Sequence, residues 1–490
     1  MPTNAGITSP TPTAAVGPVP PTLTIVDPRD GTPVGSIRSD GPSVVRSVLA
    51  AARAALPGWA ATDPATRGQR LRSAAAALAA RADEVAAWNT RETGRPEAEA
   101  LAGVQAGVAT LEQHAELGPV HRGHSLRGAA LAADYTVSGP RGVAVVLTPW
   151  NDPVAVAAGL IGAALATGNT VVSKPSERCP HTGNLLGEIL APHFPPGVLA
   201  TVTGGAETGA LLSRDAGVDV LAHVGSSAAG ERIARAAALT GAHVILENGG
   251  NDPLLVDAGV DPRWAAAQAA VGAFSNSGQI CTAVERIYVH RSIAEAFCAG
   301  LIAEARLRNR DRTVAPLVDT RQRAAVHRQV DQALRLGAVA AEGGELPPGP
   351  GAHYPATVLL NCTAAMEVFR EETFGPVAPV QVVDSFEEGL RLAAEGTYGL
   401  AATVLTASLA HAQQAVAALQ VGTVKVNAVF GGAPGGSAQP RGRSGRGFGY
   451  GPELLDEFSL VKVVHLGPPG TAEEPAAGTA GAPAAGTATA

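Results

Sequence analysis

The chain has 490 residues, with 36 Lys and Arg against 43 Asp and Glu, a net charge of −7 and 46% hydrophobic residues. That length and apolar content suit two or three packed domains and exclude global disorder, and the mild acidic balance offers no basic surface for nucleic acid. No run of about 18 uncharged apolar residues is present to span a membrane, the N-terminus lacks the pattern of a signal peptide, and four scattered cysteines (Cys179, Cys281, Cys298, Cys362) suit neither a disulfide framework nor a zinc site. A cytoplasmic protein without a metal is expected.

In chain order, residues 1–22 and 468–490 read as low-complexity tails rich in Ala, Gly, Pro and Thr, with little to bury. Apolar spacing predicts a first helix over Ser43–Leu56. Asp63-Pro64, an N-cap followed by proline at the first helical position, opens a second that runs to about Trp88. Ala132–Gly139, with Tyr, Thr and Val before a Gly-Pro stop, reads as a hairpin arm. From residue 142 short apolar runs alternate with Ala-rich helices. Val143–Leu147, Thr170–Lys174, Leu199–Val202, Val220–Val224 and His243–Glu247 are predicted strands, which argues for a doubly wound parallel sheet. A second α/β series follows: a helix from Asp261-Pro262 to Phe274, a strand Arg286–His290, a helix over 292–308, and further alternation to about 427.

Ligands of open parallel sheets bind beyond the carboxyl ends of strands. Here those ends carry Trp150-Asn151, Lys174, Gly225-Ser226 and Glu247, while Gly204-Gly205 and Gly209 follow Leu199–Val202. Each could be polar merely because strand ends meet solvent; together they converge on one crevice. Cys281 lies in a loop, Phe274-Ser275-Asn276-Ser277-Gly278-Gln279-Ile280-Cys281, whose Gly, Asn and Ser suit presenting a thiol to a cleft. A lone cysteine is otherwise most often a small buried apolar residue.

These residues carry a resemblance to the aldehyde dehydrogenase superfamily. The matching motifs are Thr148-Pro149-Trp150-Asn151, Lys174-Pro175-Ser176-Glu177, Gly225-Ser226, Leu246-Glu247-Asn248-Gly249-Gly250, Gly278-Gln279-Ile280-Cys281 and Glu371-Glu372-Thr373-Phe374-Gly375-Pro376. Smaller ones are Glu92-Thr93-Gly94-Arg95-Pro96, Gly422-Thr423-Val424 with Asn427, and Ser444-Gly445, in the family's order from about 23 to 465. The resemblance implies an α/β fold of two doubly wound domains with a small antiparallel oligomerisation unit. The dinucleotide-binding domain would take 23–124 and 144–247, the catalytic domain 248–427, and the oligomerisation arms 125–143 and 450–466 of a homodimer or homotetramer.

It also implies the chemistry: NAD-dependent oxidation of a small aldehyde to an acid, with Cys281 as nucleophile and the Asn151 amide with the Cys281 N–H as oxyanion donors. Glu247 would be the general base that hydrolyses the thioester. Lys174 and Glu177 would hold the adenosine ribose, Gly225-Ser226 the pyrophosphate at a helix N-terminus, Glu372 the nicotinamide ribose, and Trp150, Phe374, Gly205 and Gly209 would complete the cofactor site. A carboxylate at Glu177 repels a 2′-phosphate, so NAD is expected over NADP. The alternatives are a CoA-acylating relative, against which Glu247 counts, and a catalytically inactive binding protein on the same fold.

The sequence departs from the family at Asp152, usually aromatic; at Asn248 and Asn251, usually Leu and Lys; and in the loop Gly435–Gly449, which lacks the family's lysine and ends Phe448-Gly449 instead of Arg-Glu. Asp152 has two readings: it lines the substrate tunnel and disfavours anionic aldehydes, or it caps the helix that starts at Pro153.

Overall fold

The computed structural model describes residues 21–432 and 436–469. The chain opens with an antiparallel hairpin, β1 (Thr22–Val26) and β2 (Pro33–Arg38), so Thr22 belongs to a strand and not to the expected tail. The rest of that tail, 1–20, and residues 470–490 of the C-terminal one lie outside the described residues. Four helices follow: α1 (Pro42–Ala61), α2 (Pro64–Ala80), α3 (Ala82–Thr93) and α4 (Glu97–Val120). Asp63 caps α2 as its sequence predicts, its carboxylate accepting the Thr66 N–H at 2.9 Å. The single helix expected as far as Trp88 is two, broken at Arg81 (φ −118°, ψ 21°). Neither Gly nor Pro marks the break. Both segments pack on α4 and both also touch α6 (Pro180–Leu190), so the break adjusts how they lie on the same neighbours, and packing, not propensity, sets it.

Strands β3 (Ser125–Leu126) and β4 (Ala133–Pro140) form the arm, and β4 pairs along its whole length with the last strand, Ser459–Leu466. The first large sheet uses β5 (Val143–Leu147), β6 (Thr170–Lys174), β7 (Leu199–Thr201), β8 (Val220–Val224) and β9 (His243–Glu247), all parallel. Its order, β9-β8-β5-β6-β7, puts the chain reversal between β5 and β8, where doubly wound sheets open a ligand crevice. Between these strands lie α5 (Pro153–Ala166), α6, α7 (Ala206–Arg214) and α8 (Ser227–Thr240). β5 and β6 are wholly buried, which is why they read as continuous apolar runs.

The second sheet begins at β10 (Asp252–Val256) and β11 (Val284–His290), flanked by α9 (Pro262–Phe274), α10 (Arg291–Arg310) and α11 (Thr320–Arg335). It continues with β12 (Val339–Glu342), β13 (Thr357–Leu360) and β14 (Val377–Val383). After the short β15 (Tyr398–Gly399), β16 (Ala401–Leu405) and β17 (Thr423–Val426) finish it in the order β12-β13-β14-β11-β10-β16-β17. Both sheets depart from pure parallel pairing. β12 runs antiparallel at one edge, and a returning segment of two short strands, β18 (Arg441–Gly442) and β19 (Gly445–Arg446), lays β19 antiparallel on β9. That second contact carries the C-terminal loop to the end of β9, beside Glu247.

No helix among the described residues is long and apolar enough to cross a membrane.

Candidate active site

The carboxyl ends of β5, β6, β8 and β9 lie side by side, with Leu147 in register with Lys174 and Val224 with Glu247. They open on a cleft of about 1340 Å³ whose other wall comes from the second sheet and α11. Trp150, Asn151, Asp152, Lys174, Glu177, Gly205, Gly209, Gly225, Ser226, Glu247, Cys281, Glu372 and Phe374 all line it.

On the first wall, Lys174 is buried and its ammonium donates to the carbonyls of Pro175 (2.8 Å) and Gly204 (2.7 Å); burial pulls its pKa below the usual lysine value. Gly205 has open space where a side chain would stand, and Gly209 faces only the Lys174 stem. Ser226 caps α8 through the Ala229 N–H (3.4 Å), leaving that helix terminus facing the cleft. A Cβ at Gly225 would press on the His223 ring at 2.8 Å. His223 is buried with neither ring nitrogen partnered, and burial lowers its pKa to about 4, so it is neutral. These features fit a dinucleotide: a helix N-terminus that faces the cleft, glycines that leave room, and an orphaned imidazole beside them. Trp150 meets Phe374 edge-on (5.4 Å, 80°), and Arg178 covers Trp150 at 5.1 Å while pairing with Asp319 at 3.0 Å, which clasps the two walls together.

The nucleophile loop leaves α9 through Asn276 (φ 45°), Ser277 (φ 56°) and Gly278 (φ 71°), three left-handed residues in a row. Only glycine fits the third, because a Cβ there would lie 2.1 Å from the Gly375 carbonyl. The turn places Gln279 so that its carbonyl accepts the Asn151 side-chain amide at 3.1 Å, bringing Asn151 to the Cys281 segment. Burial, then the carboxylates Glu247, Asp252 and Glu372, push the Cys281 thiol up to about 12. Burial likewise raises Glu247 to about 8, opposed by one hydrogen bond from the Gly449 N–H (3.0 Å). Gly449 is obligatory in this arrangement, since its Cβ would stand 2.0 Å from Glu247 Cγ.

Glu372 lies flat on Gly249, where a Cβ would be 2.1 Å from both carboxylate oxygens, and accepts the Gly250 N–H at 3.1 Å. Its loop is held from behind by Glu285, which accepts the N–H groups of Thr373 (2.6 Å) and Phe374 (2.8 Å) and so fixes Phe374 in its left-handed conformation (φ 50°). Sequence reasoning missed Glu285. The available signal was a Glu-Arg pair inside an otherwise apolar strand. Asn251 serves the same region, its side-chain amide donating to the Glu371 carbonyl at 3.2 Å.

Of the two readings of Asp152, the capping one is overturned. It stands at the N-cap of α5 but makes no side-chain capping bond. It lines the cleft, yet its charge is not free, because Arg95 donates to it at 2.9 Å and to the Asn151 carbonyl at 3.2 Å. The pair fits only because α4 carries Gly103 there, whose Cβ would be 2.8 Å from Asp152 Oδ1. Arg95 was legible as part of a motif but not as this partner. Among the described residues no cluster of His, Cys, Asp or Glu is suited to a metal ion.

Two α/β sheets meet at a cleft lined by a cysteine, an amide and a buried carboxyl, beside a helix N-terminus, an arrangement suited to an oxidoreductase. The profile of the aldehyde dehydrogenase family matches residues 18–464. Betaine aldehyde dehydrogenase from Cereibacter sphaeroides is 35% identical over 463 residues, covering 91% of this chain and 94% of its own. Among solved structures, betaine aldehyde dehydrogenase from Staphylococcus aureus in complex with NAD+ superposes with a TM-score of 0.88 at 28% identity, covering 92% of this chain and 93% of that one. An NADP-dependent enzyme from E. coli gives 0.87 at 29%, covering 91% and 95%. The chain belongs to the aldehyde dehydrogenase family, and its activity is the oxidation of an aldehyde.

Proposed function

We propose that this chain oxidises a small polar aldehyde to its carboxylic acid with NAD, through a thioester on Cys281. The observation that carries the reading is convergence: Asn151, Glu247, Cys281 and Glu372, from four separate segments, line one cleft. The bound cofactor accepts hydride from the carbonyl carbon. The Cys281 thiolate adds to that carbon, and the resulting oxyanion is held by the Asn151 amide and the Cys281 N–H; removing one such donor costs about 10²–10³ in rate. Loss of hydride leaves the thioester. Glu247 takes a proton from water, which attacks the thioester carbon, and the acid departs as the thiol is restored. Aldehyde, NAD+ and water thus give acid, NADH and a proton. Because Glu247 is held neutral until about pH 8, turnover rises with pH toward that value.

Lys174 and Glu177 hold the adenosine ribose, Gly225-Ser226 take the pyrophosphate, and Glu372 with Phe374 and Trp150 surround the nicotinamide ribose and ring. Glu177 makes NAD the preferred cofactor over NADP, by at least about tenfold, as one like-charge clash supplies 1.4 kcal/mol or more. Two of the three named proteins are betaine aldehyde dehydrogenases, and the polar Arg95–Asp152 pair in place of an aromatic wall favours a polar substrate over a long alkyl one. The same reading divides the chain into a cofactor domain (23–124 and 144–247), a catalytic domain (248–427) and oligomerisation arms (125–143 and 450–466). The outer strand of the arm leaves Val461 and Val463 about two-thirds exposed (67% and 65%), which supports pairing of arms in a homodimer or homotetramer.

NADH absorbance with an aldehyde panel, with and without CoA, tests the function. Turnover that needs CoA would replace hydrolysis by acyl transfer, and no turnover with any aldehyde would reduce the protein to a binding relative.

A further inference from the structure

Lys425 sits in the middle of a sequence segment whose neighbours, Gly422-Thr423-Val424 and Asn427, match the family, but nothing in the proposed reaction uses it. It lies on β17, the edge strand of the second sheet, half-buried, with its ammonium 3.5 Å from the Thr282 carbonyl, one residue beyond the nucleophile, and 5.7 Å from the Phe430 ring centre. A lysine has three donors and a strong preference for water, so a half-buried one needs a counter-charge. The Asp252 carboxyl, at the start of β10, is the acidic group near it, but the two form no direct ion pair. Its Oδ1 accepts the Ala401 N–H at 3.1 Å, and its Oδ2 is buried with no hydrogen-bond partner. Gly250 fixes how close the carboxylate comes to the nucleophile, because a Cβ there would lie 2.6 Å from Asp252 Oδ1 and 2.7 Å from the Cys281 carbonyl.

The charges facing Cys281 are lopsided. Glu247 approaches from the end of β9, Asp252 from β10, Glu372 from the loop before β14, and the Tyr450 hydroxyl from the C-terminal loop; Lys425 on β17 brings its ammonium to the Thr282 carbonyl, one residue beyond the thiol. Behind them Glu285 is taken up by the Thr373 and Phe374 amides, and Arg286 by the Asn251 and Glu395 carbonyls. A thiolate forming among three carboxyl groups in a poorly hydrated site is uphill unless a cation is near.

We propose that Lys425 is a positioning residue for the nucleophile: it supplies the positive charge against which Cys281 ionises, and its bond to Thr282 ties the nucleophile turn to β17. Ionisation releases the thiol proton to solvent or to Glu247, and the ammonium stays protonated throughout.

The inference rests on the reading of Cys281 as nucleophile, so its test reads the thiol and not turnover. Iodoacetamide labelling of the full-length protein is followed against pH, with no aldehyde or cofactor, and the rate at residue 281 is taken from the labelled peptide by mass spectrometry. In Lys425→Met and Lys425→Gln the midpoint of the profile should rise by at least about one unit, which slows labelling about tenfold at any pH below it. Lys425→Arg, which keeps the charge, should stay within about threefold of wild type. Each variant is compared at matched circular dichroism, and should the Met variant not fold, the Gln variant carries the same test. Profiles of the neutral variants that superimpose on wild type would overturn the proposal, as would an Arg variant as slow as the neutral ones, since that outcome makes Lys425 a packing residue. Turnover by Cys281→Ala, by contrast, would sink the nucleophile assignment itself and leave the labelling result standing.

Discussion

On the dinucleotide side of the cleft, polar groups are settled by their own neighbourhood: Lys174 by two nearby carbonyls and Ser226 by its own helix. On the catalytic side, the side chains are carboxyl groups held in the wrong state for their surroundings. Burial raises Glu247 and Asp252 each to about 8, and pushes Glu372 up as well with Glu285 close by. On the proposed function, the first group would bind a ligand whose charges and hydroxyls arrive ready-made, and it can be built from satisfied groups. The second would generate and neutralise charge, and its carboxyls hold protons that water would have removed. Perturbed carboxyls of this kind cost stability, and they gather where chemistry is done.

The sharpest way to break that contrast is to remove the group that makes the covalent bond. Cys281→Ala should lower kcat by at least about 10³ while NAD affinity, measured by fluorescence quenching, changes less than about threefold. Measurable turnover would move the chemistry elsewhere. Glu247→Gln should slow steady-state turnover by about 10²–10³, yet leave a burst of NADH close to one equivalent per site in stopped flow. Loss of the burst as well would show that Glu247 also takes the proton from Cys281.

The Arg95–Asp152 pair tests whether the substrate end follows the settled pattern or the perturbed one. With Arg95 in place, Asp152→Asn should change kcat/KM for an anionic aldehyde relative to a neutral one by no more than about threefold. Arg95→Met exposes the carboxylate: at an effective dielectric of about 20, a like charge roughly 5 Å away costs on the order of 3 kcal/mol, or about 10² in that ratio. Equal ratios in wild type and Arg95→Met would mean that substrate never approaches the pair. On the cofactor side, Glu177→Gln should narrow the preference for NAD over NADP by about tenfold in kcat/KM. Wild type using both cofactors equally would show Glu177 turned away from the ribose.

The smallest effect is on stability. Glu247 titrates near 8 in the folded chain against 4.5 ordinarily, so the native state holds a proton the unfolded state has lost, and stability falls as pH rises from about 4.5 through 8. Glu247→Gln removes that fall. Its Tm should match wild type near pH 5 and exceed it by a few degrees, about 2–4, at pH 9. A constant difference across that range would deny that Glu247 is buried and protonated.

Much of the first wall was legible because its information is local. A strand that is buried on both faces carries little but apolar side chains along its length, as VAVVL does and as the Val171-Val172 centre of TVVSK does, and the residue that ends each one stands at the sheet's carboxyl edge. Asp63-Pro64 and Asp261-Pro262 specify helix starts through bonds spanning three residues, and both caps form. The order of these elements, with the motifs on them, determines the α/β class, the crevice and the family. Tertiary structure alone decided the rest, for groups brought together from distant segments. Arg95 finds Asp152 from 57 residues away, Glu285 holds the Thr373 amide from 88, and Gly449 reaches Glu247 from 202. α2 and α3 part at Arg81 with no residue there to stop a helix. In each case the partner is chosen by which backbones the folded core brings into contact, and a buried carboxylate takes whichever donor is there because leaving it unpaired costs more than any local preference.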